Sequence, residues 1–167
     1  MSHQSKKAIL CANKVGGILE GYAKRRVFRG FTRELTGPGK ATFKIVWRQD
    51  RVFDLILDPQ TGTLRFPHLL PNVPADSTMY AEFKAFVQWR HAKTAPAHRG
   101  IDRMKARVHC RNRSGNVSLA LTVKDGDYEY ATRKLIHLVH EIFLVFLADG
   151  PYRDYVVEMF NLDPDSM

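Results

Sequence analysis

The sequence is poor in the features that mark a secreted or membrane-embedded chain. Its 167 residues contain two cysteines, Cys11 and Cys110. Two thiols form one bridge at most, and neither stands in a metal-type pair, so a reduced, cytoplasmic setting is expected. No apolar run approaches the roughly 20 residues that span a bilayer. The longest candidate, 135–148, is interrupted by His137, His140 and Glu141. The apolar stretch 8–12 behind Lys6 and Lys7 is cut by Asn13 and Lys14, so neither a signal peptide nor membrane association is expected. Internal repeats and low-complexity segments are also missing. With 44% hydrophobic and 26% charged residues the chain has ordinary globular usage, which argues against disorder.

The signatures of catalysis are equally scarce. There is no P-loop, and Gly16-Gly17 with Gly21 falls short of a dinucleotide fingerprint. Ser114, in Arg113-Ser114-Gly115-Asn116, reads as turn chemistry with no nucleophile elbow around it. Cys110 alternates onto the apolar side of a strand, where a thiol behaves as a small hydrophobe. Asp54 and Asp58 could pair as carboxylates on one strand face, and salt bridges to neighbouring Lys or Arg explain them equally well. Neither a catalytic centre nor a cofactor is expected; an enzyme would have to assemble its site from scattered residues.

What the chain has in excess is positive charge, a net +9, unevenly spread. Residues 1–33 carry eight basic side chains against Glu20 alone, and residues 99–113 carry six against Asp102. Residues 141–167 reverse the sign, with six acids against Arg153. Such asymmetry suits contact with nucleic acid or an acidic protein, or contact between the basic segments and the chain's own acidic end, within one copy or between two.

Periodicity supplies the elements. Ile9, Val15, Ile18, Leu19 and Tyr22 suggest a helix over 6–23, against which the three glycines count. A strand over 27–33 and the turn 36–39 follow. Phe43, Ile45 and Trp47 alternate with Lys44, Val46 and Arg48; Phe53, Leu55 and Leu57 alternate with Asp54, Ile56 and Asp58. Leu64 and Phe66 start a further strand, and Pro67, Pro71 and Pro74 are expected to end this antiparallel meander. Asp76-Ser77-Thr78 offers capping for a helix over 78–92, with Arg90 at the edge of its apolar stripe. Residues 92–100 read as a loop. In the next hairpin Lys105, Arg107, His109, Arg111 and Arg113 share one strand face, opposite Ala106, Val108 and Cys110. Ser114-Gly115 turns it, and Val117, Leu119, Leu121 and Val123 return. Asp125-Gly126-Asp127 caps a helix over 128–149, apolar nearly all round and so expected to be mostly buried. A last helix, 152–161, presents Tyr155, Val156, Met159 and Phe160.

These elements predict one α+β domain over 1–167: an antiparallel sheet of about five or six strands packed on one face by a long C-terminal helix. The element order resembles the type III secretion chaperone-like fold and its YbjN-type relatives, through topology and not through a signature motif. The resemblance implies a non-enzymatic protein that works through protein contacts, often as a homodimer. Two features depart from it: the chain is basic where such chaperones are usually acidic, and the strand over 27–33 is extra.

The sharpest candidate site is the basic strand face, Lys105, Arg107, His109, Arg111 and Arg113, which Lys44, Arg48 and Arg65 join if the strands form one sheet. Like charges so close repel unless something answers them. Acidic side chains of a protein partner or of a second copy would do so, and phosphates of a nucleic acid would too; a solvated face blunted by charge against aggregation needs neither. No aromatic falls on that face, which argues against a reader of stacked single strands. His137, His140 and Glu141 lie within about one helical turn and form a weak metal or haem candidate. Their spacing is not a zincin pattern, and a structural role at the edge of a buried helix is favoured.

Overall fold

In the computed structural model, residues 3–35, 40–47 and 51–161 are described. The chain opens with helix α1 (His3–Lys24) and continues as four strands, β1 (Gly30–Leu35), β2 (Ala41–Trp47), β3 (Arg51–Asp58) and β4 (Thr63–Leu70). Helix α2 (Thr78–Gln88) and a 3-10 turn (Trp89–His91) lead across to the hairpin β5 (Ala106–Arg113) and β6 (Asn116–Val123). Helix α3 (Tyr128–Glu141) runs on as a π-helical segment (Ile142–Ala148), and α4 (Arg153–Phe160) follows. The fold is α+β. The six strands form one antiparallel sheet in the order β1-β2-β3-β4-β6-β5, so the returning strand of the hairpin, not the outgoing one, lies against the meander.

Alternation builds the two faces, since successive strand residues point to opposite sides. Phe43, Ile45, Phe53, Leu55, Leu64 and Phe66 are buried beneath the helices, together with Val108, Leu119 and Leu121. Val15 and Leu19 of α1, and Leu135, Val139 and Phe143 of α3 and its continuation, complete the same core. Gly16 lets α1 approach the sheet: a Cβ there would stand 3.3 Å from the Arg33 guanidinium and 3.4 Å from the Phe43 ring. The opposite face, which carries the basic strand residues, is covered by no helix among the described residues.

Caps set the helix starts as the sequence suggests. The Ser77 hydroxyl accepts from the Tyr80 N–H at 3.1 Å, and the Asp127 carboxylate accepts from the Tyr130 N–H at 3.0 Å. Ser114 and Gly115 both have positive φ, 51° and 91°, as a tight hairpin turn requires.

Several expectations need correction. Strand β1 starts at Gly30 and not at Val27; Val27 still closes the end of α1 through the Tyr22 carbonyl. Pro67 does not end β4. It sits inside the strand, where the β4–β6 register shifts between Phe66 and Leu70, and its carbonyl accepts from Asn116 Nδ2 at 2.9 Å. A register break removes the need for the N–H that proline lacks. Helix α2 ends at Gln88 and tightens into the 3-10 turn. Arg90 is not at an edge but buried, 2% exposed. The helix over 128–149 is not uniformly α: the apolar segment from Ile142 widens to π geometry and leaves Val145 44% exposed.

Candidate basic face and the Glu141 cluster

The register brings the outward side chains of the sheet into rows. Ile56 pairs with Arg65, Arg65 with Ala120 and Ala120 with His109, so these four lie side by side across β3, β4, β6 and β5. Ser118 pairs with Arg111 on one side of that row; Thr63, Thr122 and Arg107 line up on the other. Strand β6 contributes only short outward side chains here, Ser118, Ala120 and Thr122. A depression of about 290 Å³ results, with Arg65, His109, Arg111 and Lys40 in its walls and Ile56 and Ala120 in its floor.

The basic candidates divide into two groups. Lys44 is held by Asp54 at 3.2 Å and Lys40 by Asp58 at 3.8 Å, so both aspartates act as partners of lysines and not as a carboxylate pair. Lys105 is bound by Asp125 at 2.8 Å and Asp127 at 3.1 Å, and these bonds push its ammonium up to about 12. Lys105 thus belongs to the turn that caps α3, not to an open ladder. Arg65, Arg107, Arg111 and Arg113 are exposed and make no ion pair among the described residues. His109, between Arg107 and Arg111, is half-buried; burial first, then the charges of Arg111, Arg107 and Lys124, hold its ring below the ordinary histidine value. Arg48 lies outside the described residues.

Side chains cap the free edge of β5 at Val108. Gln88 Nε2 donates to the Val108 carbonyl at 3.2 Å, and the Val108 N–H donates to His91 Nε2 at 3.1 Å. His91 Nδ1 contacts the Ile101 carbonyl at 2.9 Å and must carry the proton there, leaving Nε2 as acceptor. The edge is thereby occupied at Val108.

The helix candidates separate in the structure. His137 Nε2 meets Glu141 Oε1 at 2.8 Å, but His140 turns away to stack on Trp47, 6.5 Å between centroids at 10°. The three do not converge, and among the described residues no group of three His, Cys, Asp or Glu could hold a metal ion. Glu141 is instead the hub of an ion cluster invisible in the sequence. Arg90 Nη2 donates to it at 3.0 Å, and Arg99 donates through Nε at 2.9 and 3.0 Å and through Nη2 at 2.6 Å. Burial pushes the Glu141 carboxyl up, and the Arg99 bonds with the charges of Arg90, Arg99 and His137 outweigh it and hold it below its usual range. The Arg90 guanidinium lies over the Phe86 ring at 4.5 Å, and Arg99 lies over Trp89 at 4.6 Å. This cluster fastens the 92–100 loop to α3.

Neither cysteine is disulfide-bonded. Burial pushes the Cys110 thiol up and outweighs the Tyr80 hydroxyl, 3.8 Å from its sulfur, and the charge of Lys84, which pull it down. No helix among the described residues is by itself long and apolar enough to cross a membrane. No protein-family model matches the chain, and no curated protein or solved structure is detectably similar to it.

Proposed function

We propose that the protein is a non-enzymatic binding or assembly module that uses the open sheet face to hold an acidic protein surface. The observation that carries this reading is the division of the basic side chains. The chain's own acids answer Lys40, Lys44 and Lys105, whereas Arg65, Arg107, Arg111 and Arg113 are left without an ion pair among the described residues. Planar guanidiniums match carboxylates in bidentate geometry and are favoured at protein interfaces. The open face also has apolar surface at Val52 and Ile56 beside its charged rim.

One acidic surface of suitable sign belongs to the chain itself. Asp154 and Glu158 are exposed on α4, which packs in the helical layer through Val156 and Phe160. From that layer they do not reach the open face of the same molecule, so such a contact joins two copies, and a homodimer is the simplest assembly. The secretion chaperone-like resemblance points the same way, as an analogy of topology.

Sedimentation of the wild type against an Arg107→Ala/Arg111→Ala variant, with and without a mixed oligonucleotide, tests the proposal. Concentration-dependent association that weakens with salt and is lost in the variant supports it. A monomer that binds RNA tightly at about 0.15 M salt, with a salt slope reduced in the variant, overturns it in favour of phosphate-backbone contact.

A further inference from the structure

We infer that the depression over Ala120 is a binding site for a phosphoryl group, the dianionic end of a phosphate monoester. The inference rests on the reading of the open sheet face as the binding surface and gives one spot on that face a ligand chemistry.

The depression has a simple cause. Ala120 sits in the same row as Arg65 and His109, one strand from each, and its methyl group fills little of the space between them. With strands about 4.8 Å apart, the Arg65 and His109 backbones stand about 10 Å from one another. Arg111 lies one row along, about 7 Å further down β5. Arg65 from β4 and Arg111 from β5 both line the depression around the alanine. The volume, about 290 Å³, takes a tetrahedral anion with a few attached carbons and is at the small end of ligand pockets.

The donor set favours phosphate over carboxylate. A carboxylate is planar and one arginine fork satisfies it. A phosphoryl group has three terminal oxygens and close to two charges, and it needs donors from several directions. Here guanidiniums come from β4 and β5 and a hydroxyl from Ser118 on β6, beside the Lys40 ammonium, which Asp58 already pairs. The one carboxylate on the wall, Asp58, is occupied by Lys40 at 3.8 Å and by the Gln60 N–H at 3.1 Å. Arg65 and Arg111 have no competing ion pair among the described residues and are available to an incoming anion.

Calorimetric titration of the full chain with inorganic phosphate, phosphoserine and glutamate tests this. A saturable one-to-one isotherm is expected for phosphate and phosphoserine, and none for glutamate. Arg65→Ala and Arg111→Ala should each weaken it about tenfold or more, the loss of a charge-assisted bond. Ala120→Leu should abolish it with the urea midpoint retained, and Arg113→Ala, outside the depression, should change it less than twofold. Equal binding of glutamate, or an Arg113→Ala loss as large as that of Arg111→Ala, overturns the site. A phosphoserine peptide that binds at least tenfold tighter than phosphoserine assigns the group to a protein side chain; equal affinity assigns it to a small molecule. If polyglutamate binds the open face while phosphate neither binds nor displaces it, the site is wrong and the acidic-partner reading survives. If polyglutamate does not bind either, both fall.

Discussion

Arg99 grips Glu141 across 42 residues of chain, with Nη2 at 2.6 Å and Nε at 2.9 Å from the carboxylate oxygens. Arg90, 98% buried, shares the same carboxylate. Removing one partner of a buried ion pair strands the other charge, so Glu141→Ala is expected to cost about 3–5 kcal/mol. Urea unfolding measures it. Arg99→Ala, a partly exposed partner, should cost clearly less, and a double-mutant cycle should show strong coupling between the two positions. A Glu141→Ala loss under about 1 kcal/mol would mean that the cluster behaves like a surface pair.

His91 makes stability depend on pH. Burial first, opposed by the bond to the Ile101 carbonyl and helped by the charges of Arg103 and Arg107, holds its folded value below the ordinary one. The unfolded ring titrates near 6.5. Above that pH the ring is neutral in both states and its contribution is complete. As pH falls below it, the unfolded chain takes the proton first, so stability is lost until the folded ring titrates too. His109 and His137 are shifted the same way and add to the slope. Thermal melts from pH 8 to 5 should show a falling midpoint. His91→Phe should lower the midpoint at pH 7.5, since it leaves the Val108 N–H and the Ile101 carbonyl unpaired at about 1–3 kcal/mol, and should flatten part of the acid slope.

The arginine ladder predicts a separation of stability from binding. Arg107→Ala/Arg111→Ala removes two exposed charges that have only like charges beside them on β5. Unfolding free energy should change by less than about 0.5 kcal/mol or rise slightly, while association with acidic protein falls. A large loss of stability would show that these arginines hold the fold and would remove them as candidates for binding.

Two neighbouring glycines of α1 should respond differently to alanine. Nothing lies within 4 Å of a Cβ built on Gly17, so Gly17→Ala should stabilise by up to about 1 kcal/mol through helix propensity. Gly16→Ala meets Arg33 and Phe43 and should gain less or lose stability. Denaturant midpoints of the two variants compare them directly.

Periodicity in the sequence was enough to assign side chains to faces. The alternation 43–47, 53–57, 106–110 and 117–123 separates core from surface because a strand has a period of two, and the caps at Ser77 and Asp127 locate helix starts because their chemistry is local. Proline misled at Pro67, since a register shift far along the chain at β6 excuses its missing N–H. Arg90 misled because an arginine on an apolar stripe reads as an edge residue until its carboxylate, 51 residues away, is known.

The sequence by itself determined the α+β class, the basic face of β5 and the absence of aromatics from it, all consequences of patterns a few residues long. Only the tertiary structure decided that β6 lies between β4 and β5, that Ala120 therefore separates Arg65 from His109, and that Lys44 and Lys105 are already answered while the arginines are not. The physical reason is that a strand's period fixes which way a side chain points, whereas its neighbours are fixed by pairing between separate segments of the chain, chosen by the burial of a shared core.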